Sequence, residues 1–187
     1  MDDVVIRLAT VADGEAIRRI YNHEVENTTH TFDLVPRTLE DQQAWLRDRD
    51  GALGVVVAET GGDVVGFASL SEYRPRAAYR TSVESSVYVD GSVRGRGIGQ
   101  RLMQELVRVA EARGFHTMVA RIAGGHETSI GLHQAAGFEI VGTEREVGRK
   151  FGGWLDVVVM QRMLPDPRRR SSDGAHRARS ETSRAAN

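Results

Sequence analysis

Two apolar rhythms alternate along the chain. Short runs repeat every second residue, and longer stretches repeat every three or four. Residues 4–8 predict a strand. Thr10 and Asp13 fit a capping box that opens a helix to about Glu26, with Ala16, Ile17, Ile20 and Tyr21 on one face. A loop, residues 27–32, follows, and Thr38 predicts the cap of a second helix carrying Trp45 and Leu46. Residues 53–59 and 64–70 predict a hairpin turning at Gly61, Gly62 and Asp63. Residues 82–89 predict a strand with Val83, Val87 and Val89 on one face and Glu84, Ser86 and Tyr88 on the other. A helix over about 97–113 carries the stripe Ile98, Leu102, Leu106, Val109 and Ala110, and Gly114 stops it. A strand at 117–122, a short helix at 128–136 and strands at 138–143 and 154–164 complete an α/β domain around a central mixed sheet.

This pattern ends at Pro165-Asp166-Pro167, which breaks regular structure. Residues 1–164 therefore read as one domain, and residues 165–187, rich in arginine and serine, as a disordered tail. The formal net charge of −1 over 187 residues hides a difference between these parts. The tail carries +3 and the domain −4. A mildly acidic domain has no general attraction to nucleic acid, and arginines diluted by acids without aromatics make a weak footprint. No apolar run reaches the ~18 residues of a membrane span, and the N-terminus lacks the order of a secretory leader, so a cytoplasmic protein is expected. The chain has no cysteine, which excludes disulfides, thiolate metal sites and a cysteine nucleophile. No metal is expected.

One segment carries most of the chemistry. Val87, Tyr88 and Val89 end a strand, and Asp90-Gly91-Ser92-Val93-Arg94-Gly95-Arg96-Gly97-Ile98-Gly99 turns directly into a helix. Such a turn aims unpaired N–H groups and the positive end of a helix dipole at an anion. Glycine admits positive φ and close approach, and Arg94 and Arg96 can add charge-assisted bonds to phosphate. A P-loop is excluded, because no Lys-Ser or Lys-Thr follows the glycines. A dinucleotide fingerprint fits poorly, since Gln100 stands where its third glycine belongs. A turn that binds nothing is the plain alternative.

The spacing Arg94-x-x-Gly97-x-Gly99 resembles the diphosphate motif of the GNAT superfamily of acetyltransferases. The likeness runs from about Val5 to Met163. It is strongest with the phosphinothricin and methionine sulfoximine N-acetyltransferases, through residues 20–23, 73–76, 79–80, 83–89, 132–133, 137–138 and 147–156. It implies the GNAT fold, with a mostly antiparallel mixed sheet. It also implies acetyl-CoA as co-substrate and transfer of the acetyl group to a small-molecule amine by direct attack on the thioester. Such chemistry needs a base for the ammonium, a donor for the developing oxyanion and a proton for the leaving thiolate. Glu84 is the candidate base, with a solvent-facing strand glutamate as the alternative. His133 matches a catalytic histidine of the branch and can act as base or acid; sequence leaves both open, along with a merely structural histidine. The oxyanion donor implied is a backbone N–H in Val87–Val89, at a bulge where strands separate. Ser129 lies on the face of His133, and His126 stands where many relatives place an asparagine against the pantetheine arm. A histidine there donates one bond without the paired amide geometry. His23, His30, His116 and His126 have no comparable catalytic support and read as structural or surface residues.

Arg74, Arg76 and Arg80, together with Lys150, form a candidate clamp for an anionic acceptor, with Phe32 as an apolar wall. A solvated charged loop is the alternative. The leading expectation is acetylation of an amino acid analogue such as phosphinothricin, methionine sulfoximine or methionine sulfone. Protein N-termini, aminoglycosides and a non-catalytic CoA-binding domain are the competing readings. The resemblance also implies a homodimer.

Overall fold

The computed structural model describes residues 4–165. Seven strands form one sheet: β1 (Val5–Leu8), β2 (Val55–Thr60), β3 (Asp63–Glu72), β4 (Ser82–Val89), β5 (Thr117–Ala123), β6 (Glu139–Lys150) and β7 (Gly153–Met163). Their order across the sheet is β1-β2-β3-β4-β5-β7-β6. Every neighbouring pair is antiparallel except β4 and β5, which run parallel. The fold is thus the mixed, mostly antiparallel α/β sheet expected. The expected tail, apart from Pro165, lies outside the described residues. No described helix is long and apolar enough to cross a membrane.

Four α-helices cover the sheet: α1 (Gly14–Asn27), α2 (Leu39–Arg47), α3 (Ile98–Ala112) and α4 (Glu127–Ala135). Thr10 and Asp13 make their capping box on a short 3-10 turn that leads into α1, and Thr38 makes another with Asp41 for α2. The valine alternation of β4 decides what lies on each face. Val83, Val87 and Val89 pack with Leu70, Met118 and Ile122 against Leu102, Met103 and Leu106 of α3. Tyr88 turns to the opposite face, where Phe67, Val55 and Val57 meet Ile17, Ile20 and Tyr21 of α1. Gly61 and Gly62 take positive φ at the β2–β3 turn, as its two-residue loop requires.

The principal departure from the expected elements is β6. It was expected to end near Thr143 but continues to Lys150. Its register against β7 shifts between Ile140 and Gly142 and again between Glu144 and Gly148, and Glu146 adopts φ of 51°. These irregularities break the period-two pattern that would mark a strand.

Leu102 is fully buried between α3 and the sheet. Leu102→Ala is expected to lower stability by about 2–5 kcal/mol. Urea unfolding followed by circular dichroism measures it.

Candidate active site

The parallel pair β4–β5 is registered from Ser82–Thr117 to Ser85–Ala120 and then stops. Both strands continue, β4 paired with β3 up to Val89 and β5 paired with β7 up to Ala123. The strands therefore diverge and open a cleft of about 580 Å³. Backbone groups of 86–89 on the β5 side have no strand partner, so they are available to a ligand. β4 keeps unbroken register with β3 through this stretch, and β5 with β7, so the bulge expected in β4 does not show in its pairing with β3.

The cleft brings together Val87, Tyr88, Val89, Arg94, Gly95, Gly97, Ile98, Gly99, His126, Ser129 and His133. Gly95 and Gly97 adopt φ of 79° and 76° with open space beside them. α3 starts at Ile98, and no side chain caps its first turn, so its leading N–H groups face the cleft end. Gly99 has a second reason to be glycine: a Cβ there would lie 2.7 Å from Leu132 Cδ1 on α4. Arg96 stays exposed on the turn. The Tyr88 side chain is committed to the other face, edge-on to Tyr21 at 5.2 Å, so only its backbone reaches the cleft.

His133 is 3% exposed. Its Nδ1 lies 2.8 Å from the carbonyl of Ser129, which can only accept, so Nδ1 carries the proton and donates. Nε2 is then a bare acceptor. It is buried, has no partner among the described residues and belongs to a side chain lining the cleft. Burial pushes the pKa below its ordinary value, outweighing the hydrogen bond to Ser129, which favours the charged form. This arrangement suits acceptance of a proton or hydrogen bond at Nε2 at neutral pH.

Glu84 pairs with Ser71 on one side and Val119 on the other, half-buried on the sheet face opposite α3. Burial raises its pKa, Glu144 raises it further, and Arg121 and Arg74 partly oppose them. Arg121 is held by Glu144 through a bidentate pair, with Nη1 3.0 Å from Oε1. Glu84 is thus across the sheet from α3, next in sequence to the lining residue Ser85 but not itself among the residues lining the cleft, with nearby charges of both signs.

The expected acceptor cations do not form one group. Arg74, Arg76 and Arg80 are exposed on the β3–β4 connection, Arg74 over the ring of Tyr73. Lys150 is 5% exposed and its Nζ donates to the carbonyl of Thr31 at 2.9 Å and, more weakly, to that of Glu24 at 3.4 Å. The β6–β7 hairpin lays this ammonium on the 28–33 loop, whose carbonyls satisfy it. The Phe32 ring lies over Gly148 so closely that a side chain there would overlap it. Sequence reasoning missed Glu24, a buried acid lining the cleft, and treated His30 as peripheral; both bond at the cleft mouth. The acid breaking the apolar face of α1 was the available signal. Among the described residues no group of histidines and acids could hold a metal ion.

Gly97→Val would place a β-branched residue at positive φ, a strain on the order of 1–3 kcal/mol, and a side chain over the turn. CoA affinity, read by calorimetry, is expected to fall at least about tenfold. Unchanged affinity would remove the turn from the binding site.

Comparison with known proteins agrees with this geometry. The family described as "Acetyltransferase (GNAT) domain" matches residues 6–159. An L-methionine sulfoximine/L-methionine sulfone acetyltransferase of Pseudomonas paraeruginosa is 46% identical over 166 residues, covering 88% of this chain and 96% of the relative. The crystal structure of a ribosomal-protein-alanine N-acetyltransferase from Brucella melitensis is 45% identical with a TM-score of 0.84, covering 86% of this chain and 99% of that one. A phosphinothricin acetyltransferase from Sinorhizobium meliloti, solved in complex with AcCoA, is 40% identical with a TM-score of 0.83, covering 86% of this chain and 88% of that one. With the split parallel pair, the uncapped glycine turn and these matches together, the chain belongs to the GNAT acetyltransferase family.

Proposed function

We propose that the protein is an acetyl-CoA-dependent N-acetyltransferase acting on the amine of a small amino acid analogue of the sulfoximine, sulfone or phosphinate type. The observation that carries this reading is the cleft between β4 and β5. It is lined both by an uncapped helix start, suited to a diphosphate, and by a histidine whose Nε2 has no partner among the described residues. Relatives named for methionine sulfoximine, methionine sulfone and phosphinothricin support the acceptor class. The Brucella structure, named for ribosomal-protein alanine, supports protein N-termini as the second reading.

In this reading the leading amides of α3 and the turn hold the diphosphate, and the free backbone of 86–89 holds the pantetheine arm and receives the developing oxyanion. Acetyl-CoA supplies the thioester carbonyl. Glu84, with its raised pKa, takes the ammonium proton directly or through water, since an alkylammonium with a pKa near ~10 has no lone pair for attack. His133 enters the reaction neutral, so Nε2 can accept the second proton, released by the amine nitrogen once it has attacked the carbonyl, and return it to the departing thiolate. Exposed Arg74, Arg76 and Arg80 favour an anionic acceptor over a polyamine. The exposed apolar groups Ile140, Val141, Val147, Phe151 and Trp154 on the edge hairpin favour a homodimer, and the absence of cysteine suits a cytoplasmic setting.

Two expected outcomes test this reading. A thiol-release assay should show turnover with methionine sulfoximine, methionine sulfone or phosphinothricin, and far less with alanyl peptides or aminoglycosides. A peptide preference would move the assignment to protein N-termini. Glu84→Gln should lower kcat by about 10²–10⁴ while leaving CoA affinity unchanged. In the wild type the base must be ionised, so kcat/KM should rise with pH through the raised value of Glu84, and this limb should vanish in the variant. An unaltered pH profile in Glu84→Gln would exclude Glu84 as the base.

A further inference from the structure

The chemistry above makes no use of Glu24, yet this acid is 1% exposed in the last turn of α1. An unpaired carboxylate at such a site would cost several kcal/mol. Its acceptor capacity is instead filled. Oε1 receives Arg94 Nη2, and Oε2 receives His30 Nδ1 at 2.6 Å and Thr28 Oγ1 at 2.9 Å. Burial pushes its pKa up, but the bonds from His30 and Thr28 and the charge of Arg94 outweigh burial and hold it below the usual carboxylate value.

Arg94 also donates from Nε to the carbonyl of Val89 at 3.0 Å. The guanidinium therefore spans from α1 to the end of β4 and closes the root of the glycine turn. A second ion pair from the same helix, Arg19 to Asp90 at 3.0 Å, also ties this root to α1, and Asp90 caps the short turn through Ser92. Beyond this root, Gly95 and Gly97 have nothing near them to restrict the backbone. Glycine carries a large entropy cost when ordered, so rigidity must come from the root. The Arg94 side chain, expected to reach phosphate, is thus held within the protein through Nε and Nη2, while it remains partly exposed in the cleft lining.

We propose that Glu24 is a positioning residue for the cofactor turn: through Arg94 it holds the amides of residues 95–99 in place for a diphosphate. This rests on the reading of the turn as the CoA site. Arg94 is then a strut and not a phosphate ligand, and Glu24 touches neither substrate.

Calorimetry with coenzyme A on the full chain separates the two levels. Wild-type affinity tests the reading of the turn, and the variants test the strut. Glu24→Gln and Arg94→Gln should each raise Kd about tenfold, and the double variant should be no weaker than the weaker single, because both break the shared Glu24–Arg94 contact. KM for acetyl-CoA should rise in parallel while kcat at saturation stays within about threefold, a split that general misfolding would not give. Additive losses, or tighter binding in Glu24→Gln, would overturn the proposal; the latter would mean that Glu24 sequesters a phosphate-binding arginine. Should Glu24→Gln not fold, Arg94→Gln decides alone. A lost strut leaves the salt dependence of Kd as in the wild type, whereas a lost phosphate contact flattens it and refutes the strut.

Discussion

Two parallel strands that cannot stay together give this structure its site. The four paired positions from Ser82–Thr117 to Ser85–Ala120 hold β4 and β5 in one sheet, and their divergence beyond leaves backbone groups that the fold does not satisfy. Elsewhere in a core such groups would be a defect, since buried N–H and C=O groups are nearly always paired. Here each strand is secured on its far side, by β3 and by β7, so the opening costs no collapse of the sheet. The side chains of β4 reinforce the arrangement. Its valines lock to α3 and Tyr88 to α1, so the backbone between them is held rigidly while one edge stays free.

Charge is distributed around this opening in a matching way. The glycine turn offers N–H groups and no acid in the first turn of α3. Two acids near it are tied, Asp90 to Arg19 and Ser92 and Glu24 to Arg94 and His30. The groups suited to proton transfer are treated differently. Glu84 and His133 are both moved toward neutrality by burial, one upward and one downward, and neither is neutralised by an ion pair. Restraint of the binding charges and release of the reacting ones is the pattern expected where a ligand is held first and proton chemistry follows.

Much of this was legible along the chain. The alternation in 82–89 and the stripe of α3 predict the two faces of the central strand, because side-chain period follows directly from backbone geometry. The glycine turn was legible for a similar reason, since positive φ restricts the residue type. Other features depend on contacts distant in sequence. Arg94 was expected at phosphate, but its partner Glu24 lies 70 residues earlier, and only the folded chain joins them. Lys150 was grouped with three arginines from charge and resemblance; its backbone position on β6 carries its ammonium to the carbonyl of Thr31, a contact that no local pattern shows. The extension of β6 was concealed by its own bulges, which scramble the period that reveals strands.

The central claim is that backbone amides of the turn and of the first turn of α3 bind the diphosphate of coenzyme A. Amide-resolved NMR of ¹⁵N-labelled protein titrated with coenzyme A tests it most directly. The account predicts saturable shifts concentrated at Gly95, Gly97, Ile98 and Gly99, with smaller ones along 86–89. An undisturbed turn, or shifts confined to a different part of the surface, would contradict it.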